Sequence, residues 1–385
     1  MKPPIFAVSA LSALLLAGAA RADDAGNFVL RLGQDTTSVE QYTRSTNRLE
    51  VNQVGRSPRV LRRHFVYDYS GGAFTHLAVD VRAPGSATPM QTVEVTAEPD
   101  SLRVKIQGAN GPSQTAALAA PRGTCVAVYS SPLTVYESEI MRMVGSGQDS
   151  SRLTLYLVGF PSTTWLSLHR LGGDSVEIST GNSDLSHARI DSQGHVLGLL
   201  PIAGTGKFSL ERVASLDLDA MADAFAAREK AGTGLGVLSP RDSVKTTVAG
   251  AALWIDYGRP GKRGRAIFGN VVPLGAVWRA GANAATQFRT DKALDFGGTV
   301  VPAGFYSLWV VPEAGAWTLI FNSQTGQWGT MHDPARDVYK VAMKLSTLPE
   351  IVERFTIGVE PSAAGGTLNM DWDTTRASVG FAVKP

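Results

Sequence analysis

The feature that most constrains this chain is a period of two residues between apolar positions, repeated in short segments that end in turn residues. Residues 65–69 and 76–81 alternate in this way, and glycine or proline follows each segment closely. Side chains two residues apart lie on one face of a strand, so the pattern predicts antiparallel strands with one buried face. For residues 23–214 it predicts a curved antiparallel sheet or half-barrel, in which residues 145–147 form a turn between strands.

A different pattern marks residues 216–231, where apolar residues recur at intervals of three and four. Asp217 or Asp219 is placed to cap the first turn, and Gly232 follows the last helical residue, as glycine often does at a helix end. We therefore predict one amphipathic helix within a helical and glycine-rich linker of residues 215–238.

The period of two returns in residues 239–385, without a second long helix. The strand-like segments are 244–248, 252–257, 286–290, 304–311, 317–322, 338–345, 354–359, 367–372 and 377–383. So many short strands in so short a region predict a C-terminal β-sandwich or jelly roll. The chain is therefore expected to be mainly β, with two domains that each bury a core.

The first 22 residues are predicted to be a cleavable export signal. Lys2 gives a positive start, residues 5–19 are mostly apolar, and residues 20–22 read Ala-Arg-Ala, a small-x-small cleavage pattern. Cleavage is expected after Ala22, which would place the product in the periplasm or outside the cell. Because a spanning helix needs about 20 apolar residues, we expect no membrane span.

Charge and residue counts argue against several classes of function. Removal of Lys2 and Arg21 lowers the 36 basic residues to 34, equal to the 34 acidic ones, so nucleic-acid binding is not expected. Cys125 is the only cysteine and is predicted to be a buried strand residue. The six histidines are scattered, and neither H-E-x-x-H nor G-x-S-x-G occurs, so we predict no metal site and no cofactor.

Ordered motifs distinguish residues 239–383. They are Ser239-Pro240-Arg241, Tyr257-x-Arg259-Pro260, Gly264-Arg265-x-Ile267-Phe268-Gly269, Val272-Pro273, Trp278-Arg279-x-Gly281-Ala282-Asn283-x-Ala285-Thr286, Pro302-Ala303-Gly304-x-Tyr306, Asn322 and Trp328-Gly329. With these motifs the region resembles the exported bacterial family catalogued as domain of unknown function 2911. The resemblance implies an exported β domain and, as the name says, no established activity.

Two positions depart from the family's usual motifs. Arg263 stands where the family usually has lysine, which keeps the charge but replaces an ammonium by a planar guanidinium. Ala284 stands where the family often has glutamate. If that carboxylate acts as a general base in relatives, this chain lacks it.

A basic loop is the most unusual local feature. Residues 258–265 hold four cations among three glycines and a proline, and guanidinium groups bind phosphate, sulfate or carboxylate through paired donors. Together with the Trp-Arg motif, this loop is predicted to form a ligand-binding site. The predicted site residues are Tyr257, Arg259, Arg263, Arg265, Trp278, Arg279, Asn283 and Thr286. The alternative is that the arginines pair with neighbouring acids such as Asp256 or satisfy loop carbonyls.

Tryptophans and one pair of aspartates offer weaker hypotheses. Alternating strands are expected to bury three tryptophans, Trp254, Trp309 and Trp317. Trp278 and Trp328 lie in loop-like motifs and are the more open candidates for stacking on a sugar. Asp371 and Asp373 share one strand face and are candidates for a catalytic carboxylate pair. The same segment is explained more simply as a solvated strand end that leads into a turn.

The leading hypothesis is an exported binding protein that holds a small anionic or carbohydrate-like, polyhydroxylated ligand at the arginine-rich site. One alternative is a secreted hydrolase that acts on an ester or a glycan. Another is a periplasmic carrier of apolar ligands that uses the N-terminal domain, whose predicted curved sheet is similar to periplasmic half-barrels that carry lipid or lipoprotein. The sequence leaves the ligand, the oligomeric state and the orientation of the domains open.

Overall fold

The computed structural model describes residues 24–128, 133–181 and 184–384, so the predicted signal segment and its cleavage site lie outside the described residues. The described chain forms two large sheets, each with its own core, and a helix lies between them in sequence. The prediction of a mainly β chain with a curved N-terminal sheet, a linker helix and a C-terminal β unit is confirmed.

The elements of the N-terminal sheet come first. They are β1 (Asp24–Leu32), β2 (Asp35–Ser45), β3 (Arg48–Gly55), β4 (Leu61–Ser70), β5 (Ala73–Arg82), β6 (Gln91–Ala97), β7 (Ser101–Gly108), β8 (Gln114–Ala119), β9 (Cys125–Val128), α1 (Thr134–Gly145), β10 (Ser150–Val158), β11 (Thr164–Gly172), β12 (Ser175–Thr180), β13 (Leu185–Ile190), β14 (Val196–Ala203) and β15 (Ser209–Val213).

The linker helix and the C-terminal sheet follow. Their elements are α2 (Leu218–Lys230), β16 (Arg241–Val248), β17 (Ala251–Gly258), β18 (Thr286–Thr290), β19 (Leu294–Phe296), β20 (Thr299–Val301), β21 (Gly304–Pro312), β22 (Trp317–Asn322), a 3-10 helix (Pro334–Arg336), β23 (Asp337–Pro361) and β24 (Gly365–Val383).

The N-terminal sheet consists of two meanders that meet in its middle. Its strand order runs from β8 back to β1, then from β15 back to β9, and β1 pairs with β15 to join the halves. Within the described residues the two ends of the order, β8 and β9, do not pair, so the sheet stays open. Hydrophobic side chains from both meanders pack into one core, which requires the sheet to curve.

The C-terminal sheet curls over its own core. Its order is β16-β17-β18-β21-β22-β23-β24-β19-β20, so three strands separate β17 from β23. Even so, the rings of Tyr257 on β17 and Phe355 on β23 lie 5.9 Å apart. Irregular register between β23 and β24, near Val352, accompanies this bend. The result is a two-layered packing of one continuous sheet, as the sandwich prediction requires.

Helix α1 contradicts the expected turn between strands at residues 145–147, which form its C-terminal end. The helix buries both Glu137 and Glu139, and these carboxylates hide the apolar period that identifies a helix in a sequence. Glu137 accepts hydrogen bonds from Tyr42 Oη at 2.8 Å and from Arg44 Nη2 at 2.9 Å. Buried charges persist where they are paired, so tertiary contacts stabilise this helix.

Helix α2 forms where residues 216–231 predict a helix and packs on the convex face of the N-terminal sheet. Asp217 caps it by accepting a backbone N–H of the first turn at 2.9 Å. Phe225 packs against Val29, Val39 and Val54, which pair across β1, β2 and β3 and therefore share one face. The opposite, concave face of the same strands remains available to line a cavity.

The turn between β1 and β2 docks on the basic loop of the C-terminal sheet. The backbone N–H of Gln34 donates to the Arg263 carbonyl oxygen at 3.1 Å, and the Arg263 guanidinium pairs with Asp35. Gly33 and Gly264 both have left-handed backbone, with φ of +61° and +72°, and a Cβ on either would overlap the opposing loop. The predicted Arg263 thus joins the two sheets.

We predict that Gly33→Ala lowers the stability of the protein by more than the cost of left-handed backbone at an alanine, because the new Cβ also disturbs the docking contact. Gly71→Ala is the matched control, since Gly71 has a similar φ of +57° but open space where a Cβ would lie. Left-handed backbone costs an alanine about 1–2 kcal/mol in either variant. In urea unfolding, Gly33→Ala should lose clearly more stability than Gly71→Ala, and equal losses would show that the docking contributes little.

Candidate functional site

A cavity of about 680 Å³, here called the junction cavity, lies between the two sheets. The concave face of the N-terminal sheet forms one side, with Leu30 on β1 and Ile178 on β12. The other side comes from the C-terminal unit, with Trp278, Arg279 and, on β24, Trp372. Its volume falls within the range of about 300–1,000 Å³ that is typical of small-molecule sites.

The N-terminal wall of the junction cavity is apolar on one flank. Leu157, Ile178 and Leu199 lie on β10, β12 and β14, are at most 9% exposed, and belong to the N-terminal core. Alternation along each strand sends these side chains inward and their neighbours outward, so the wall follows directly from the period of two. Opposite this wall, the rings of Trp278 and Trp372 stack at 5.9 Å.

The other flank of this wall carries a polar row. Glu40, Gln53 and Arg63 pair across β2, β3 and β4 and so share the concave face. Arg63 Nη1 donates to Gln53 Oε1 at 3.0 Å, and Gln53 Nε2 donates to Glu40 at 2.9 Å. Burial raises the pKa of Glu40 to about 7, against the opposing effect of its hydrogen bonds to Gln53 and Thr134.

Three cations from separate loops meet at the cavity. Lys207 follows β14 in the N-terminal unit, whereas Arg265 and Arg279 belong to the C-terminal unit. Burial lowers the pKa of Lys207, and repulsion from Arg279 and Arg265 lowers it further. Asp184 is the opposing charge, and its Oδ1 already accepts the backbone N–H groups of Thr205 and Gly206.

Arg279 carries the least satisfied charge at this site. No described residue forms a hydrogen bond or ion pair with its guanidinium, and Nε is buried without a partner. Burial lowers the pKa of Arg279 to about 10, which the charge of Asp184 only partly offsets. The side chain passes directly over Gly329, where a Cβ would overlap it, and this explains the glycine in the Trp328-Gly329 motif.

The Trp-Arg loop, residues 278–286, has a strained backbone that hydrogen bonds hold in place. Ala280 and Asn283 have φ of +47° and +62°, in the left-handed region that non-glycine residues rarely adopt. Thr286 stabilises this backbone by donating from Oγ1 to the Ala280 carbonyl oxygen at 2.7 Å. The carbonyl of Asn283 accepts the N–H of Gly329 at 2.9 Å. The loop therefore presents Arg279 from a fixed support.

The structure brings together half of the predicted site residues. Four of the eight line the junction cavity: Arg265, Trp278, Arg279 and Asn283. Tyr257 lies in the core and donates to the Ile357 carbonyl oxygen at 3.4 Å, and Thr286 supports the loop backbone. Arg259 pairs with Asp242 at 3.0 Å and also donates to Thr356, and Arg263 forms the docking contact described above.

Residues of the N-terminal unit complete the site, and the sequence did not single them out. Lys207 follows a Gly-Thr-Gly turn, and Asp184 lies in the loop before β13, but neither stands in a motif with a chemical signature. The glycine turn before Lys207 was the one available signal, and such turns occur at many strand ends. The proximity of these residues to Arg279 arises only when the two sheets pack together.

The other sequence hypotheses resolve into structural roles. Trp309 and Trp317 are buried as predicted, but Trp254 is only partly buried, so the prediction was wrong for that residue. Trp328 is 40% exposed and lies outside the cavity lining. Asp371 and Asp373 lie within β24 rather than at a strand end. Asp371 pairs with Arg376 and Asp373 with Lys262, and φ of +56° at Asp373 breaks the alternation that would place the two on one face.

Among the described residues, no group of three or more His, Cys, Asp or Glu side chains is arranged to hold a metal ion. Cys125 is buried, as predicted, and burial raises the pKa of its thiol. None of the helices in the described ranges is long and apolar enough to cross a membrane.

Comparison with known proteins identifies the C-terminal unit only. Residues 239–381 match the family model described as "Protein of unknown function (DUF2911)", which confirms the resemblance drawn from the motifs, and the N-terminal sheet matches no family model. No curated protein matches the chain.

Two solved structures show weak likeness to the chain. A beta-barrel-like protein of domain of unknown function DUF1849 from Brucella abortus is 13% identical, with 49% of this chain and 92% of that chain covered and a TM-score of 0.32. A DNA polymerase sliding clamp from Pseudomonas aeruginosa is 8% identical, with 94% and 92% covered and a TM-score of 0.10. Neither score is high enough to carry an inference about fold or function.

The buried Glu40 carboxyl should make stability depend on pH. Between its ordinary pKa of 4.5 and about 7, the unfolded state loses the proton while the native state keeps it, so stability falls as pH rises. The side chain of Glu40→Gln stays neutral at every pH. The free energy of unfolding of this variant, relative to that of the native chain, should therefore rise across this window by about 3 kcal/mol and then level off. Urea unfolding at pH 4.5 to 8 measures this.

Glu94→Gln is the control for this prediction, because Glu94 is exposed on β6 of the same sheet. Its stability should follow that of the native chain across the same pH range. Parallel curves for the native chain and Glu40→Gln would contradict the assignment of a neutral carboxyl beside the junction cavity.

Proposed function

We propose that this protein is an exported binding protein that holds an anionic ligand in the junction cavity. The observation that carries the proposal is the Arg279 guanidinium, which lines the cavity and has no partner among the described residues. A desolvated cation without a counter-charge costs free energy, which an anion placed against it recovers. Guanidinium groups bind carboxylate, phosphate and sulfate through two parallel hydrogen bonds.

Both sheets contribute cations to this site. Lys207 reaches it from the N-terminal unit, and Arg265 and Arg279 reach it from the C-terminal unit. Arg265 uses two of its donors on the carbonyl oxygens of Lys262 and Gly261, at 3.1 and 2.6 Å, and these bonds fix its position. Among the described residues it forms no ion pair, although the charges of Glu353 and Asp35 partly offset the effect of burial on its pKa. An anion between the three cations would relieve their mutual repulsion.

Arginines elsewhere in the basic loop show the contrast with Arg279. Arg259 donates to Asp242, to Thr356 and to the Phe355 carbonyl oxygen, at 3.0, 2.9 and 3.2 Å. Arg263 is buried against Asp35. These two fulfil the structural alternative that the sequence left open, and Arg279 does not. Binding is proposed rather than hydrolysis because Asp371 and Asp373, the candidate carboxylate pair, are each held by a cation.

Opposite effects on stability and binding should distinguish Arg279 from Arg259. Arg279→Met keeps the aliphatic packing and removes an uncompensated charge, so the ligand-free variant should be as stable as the native protein or more so, by about 1–3 kcal/mol. Its affinity for anions should fall roughly 10- to 100-fold, since a hydrogen bond to a charged group contributes about 1.5–3 kcal/mol. Arg259→Met should lose stability and keep its anion affinity.

The measurement is thermal unfolding with phosphate, sulfate, acetate and glucose as probes, followed by calorimetric titration of those that shift the midpoint. Glucose tests the polyhydroxylated alternative, and it should give no shift that depends on Arg279. An Arg279→Met protein that is destabilised equally with and without each anion would assign Arg279 a structural role and overturn the proposed function.

A further inference from the structure

We propose that the ligand of the junction cavity is an amphiphilic anion, with a carboxylate or phosphate head and a single alkyl chain. This inference rests on the proposed function and specifies its ligand class. The head would lie against Arg279 and Lys207, and the alkyl chain along the leucine-rich wall of the N-terminal sheet.

The apolar wall is the first observation behind this inference. Leu157, Ile178 and Leu199 come from β10, β12 and β14, and Leu30 on β1 extends the same surface. The first three are among the buried side chains of the core, yet they also line the cavity. An alkyl chain laid on this wall removes apolar surface from water at about 25 cal/mol per Å².

The separation of chemistry within the cavity is the second observation. The unpaired Arg279 and the opposite charges of Lys207 and Asp184 come from loops, whereas the leucine and isoleucine side chains come from strand interiors. Arg63 lines the cavity from a strand, β4, but its Nη1 donates to Gln53 within the polar row. Loops that extend beyond the strands lie at the sheet margin, and the strand interiors lie deeper. Charge at one end and hydrocarbon along the wall match the two parts of an amphiphile.

Simpler ligand classes fit this lining less well. A small inorganic anion would satisfy Arg279 but occupy little of a cavity of about 680 Å³. A polyol would leave hydroxyl groups against the side chains of Leu157, Ile178 and Leu199, which offer no hydrogen-bonding atoms. A neutral hydrocarbon would leave the Arg279 charge uncompensated. An amphiphilic anion matches both the charge and the wall.

A polar group on the cavity wall adds a constraint on the ligand. The Ser38 side chain lines the cavity on β2, and its Oγ is buried with no hydrogen-bond partner among the described residues. It lies on the concave face, directly across from Leu30 on β1 and diagonally beside Gln53 on β3. A bridging water, or a polar group of the ligand that reaches this point, would satisfy it.

The test is calorimetric titration of the full chain with two matched series, the carboxylates butanoate, octanoate and dodecanoate and the corresponding monoalkyl phosphates, all below their micelle concentrations. Affinity should rise about fourfold per added methylene until the cavity is filled. The heat-capacity change of binding should become more negative along each series. The better series identifies the head group.

Two variants separate the wall from the charge. Ser186→Trp places a large ring in the cavity without removing a core side chain, since Ser186 lines the cavity on β13 and is only partly buried. This variant should abolish the increase in affinity with chain length and leave the affinity for butanoate unchanged. Ser179→Trp is its control, because Ser179 alternates on β12 with Ile178 and Thr180, which line the cavity, and so faces outward.

The outcomes distinguish this inference from the proposed function. If short anions bind through Arg279 but chain length or Ser186→Trp has no effect, the amphiphile is wrong and anion binding stands. If long chains bind equally well to Arg279→Met, the protein is a carrier of apolar ligands and both proposals are wrong. If no probe of either series binds, both proposals are wrong as well.

Discussion

The contact between the β1–β2 turn and the basic loop is the constraint on which the site depends. Each sheet has its own core. The backbone hydrogen bond from Gln34 to Arg263 and the ion pair of Arg263 with Asp35 fix one sheet against the other. Gly33 makes this approach possible, since a Cβ there would overlap the Arg263 carbonyl oxygen, whereas a Cβ on Gly264 would meet only the side chain of Gln34. Docking turns an open concave face into a cavity, and burial there strengthens the charge interactions of groups such as Arg279.

Desolvation gives this cavity its chemical character. The basic loop and the Trp-Arg motif both carry arginines in loop segments, but the residues that pack around these arginines differ. Arg259 and Arg263 are neutralised by carboxylates, whereas Arg279 enters the cavity without a partner among the described residues. Buried cations are normally paired, so an exception held by a strained loop and a close glycine is an argument for function. The leucine wall beside it restricts what kind of anion the cavity suits.

Local patterns predicted most of the fold, and half of the predicted site residues line the junction cavity. The period of two located the strands of both sheets, and the interval of three to four located α2 with its Asp217 cap. Helix α1 was not predicted because two of its buried positions hold carboxylates. Glu137 pairs with Arg44 on a distant strand, and Glu139 pairs with Arg142 within the helix. Among the predicted site residues, Arg265, Trp278, Arg279 and Asn283 line the cavity, and the other four have structural roles.

The sequence by itself determined the mainly β architecture, the linker helix and the family resemblance of residues 239–381, because periodicity and ordered motifs are properties of neighbouring residues. Only the tertiary structure decided which cations are neutralised and which face a cavity. That outcome depends on Asp35, Lys207 and Asp184, which lie far along the chain from the arginines that they meet. The charge environment of a side chain is set by the segments packed around it, and no local pattern records those.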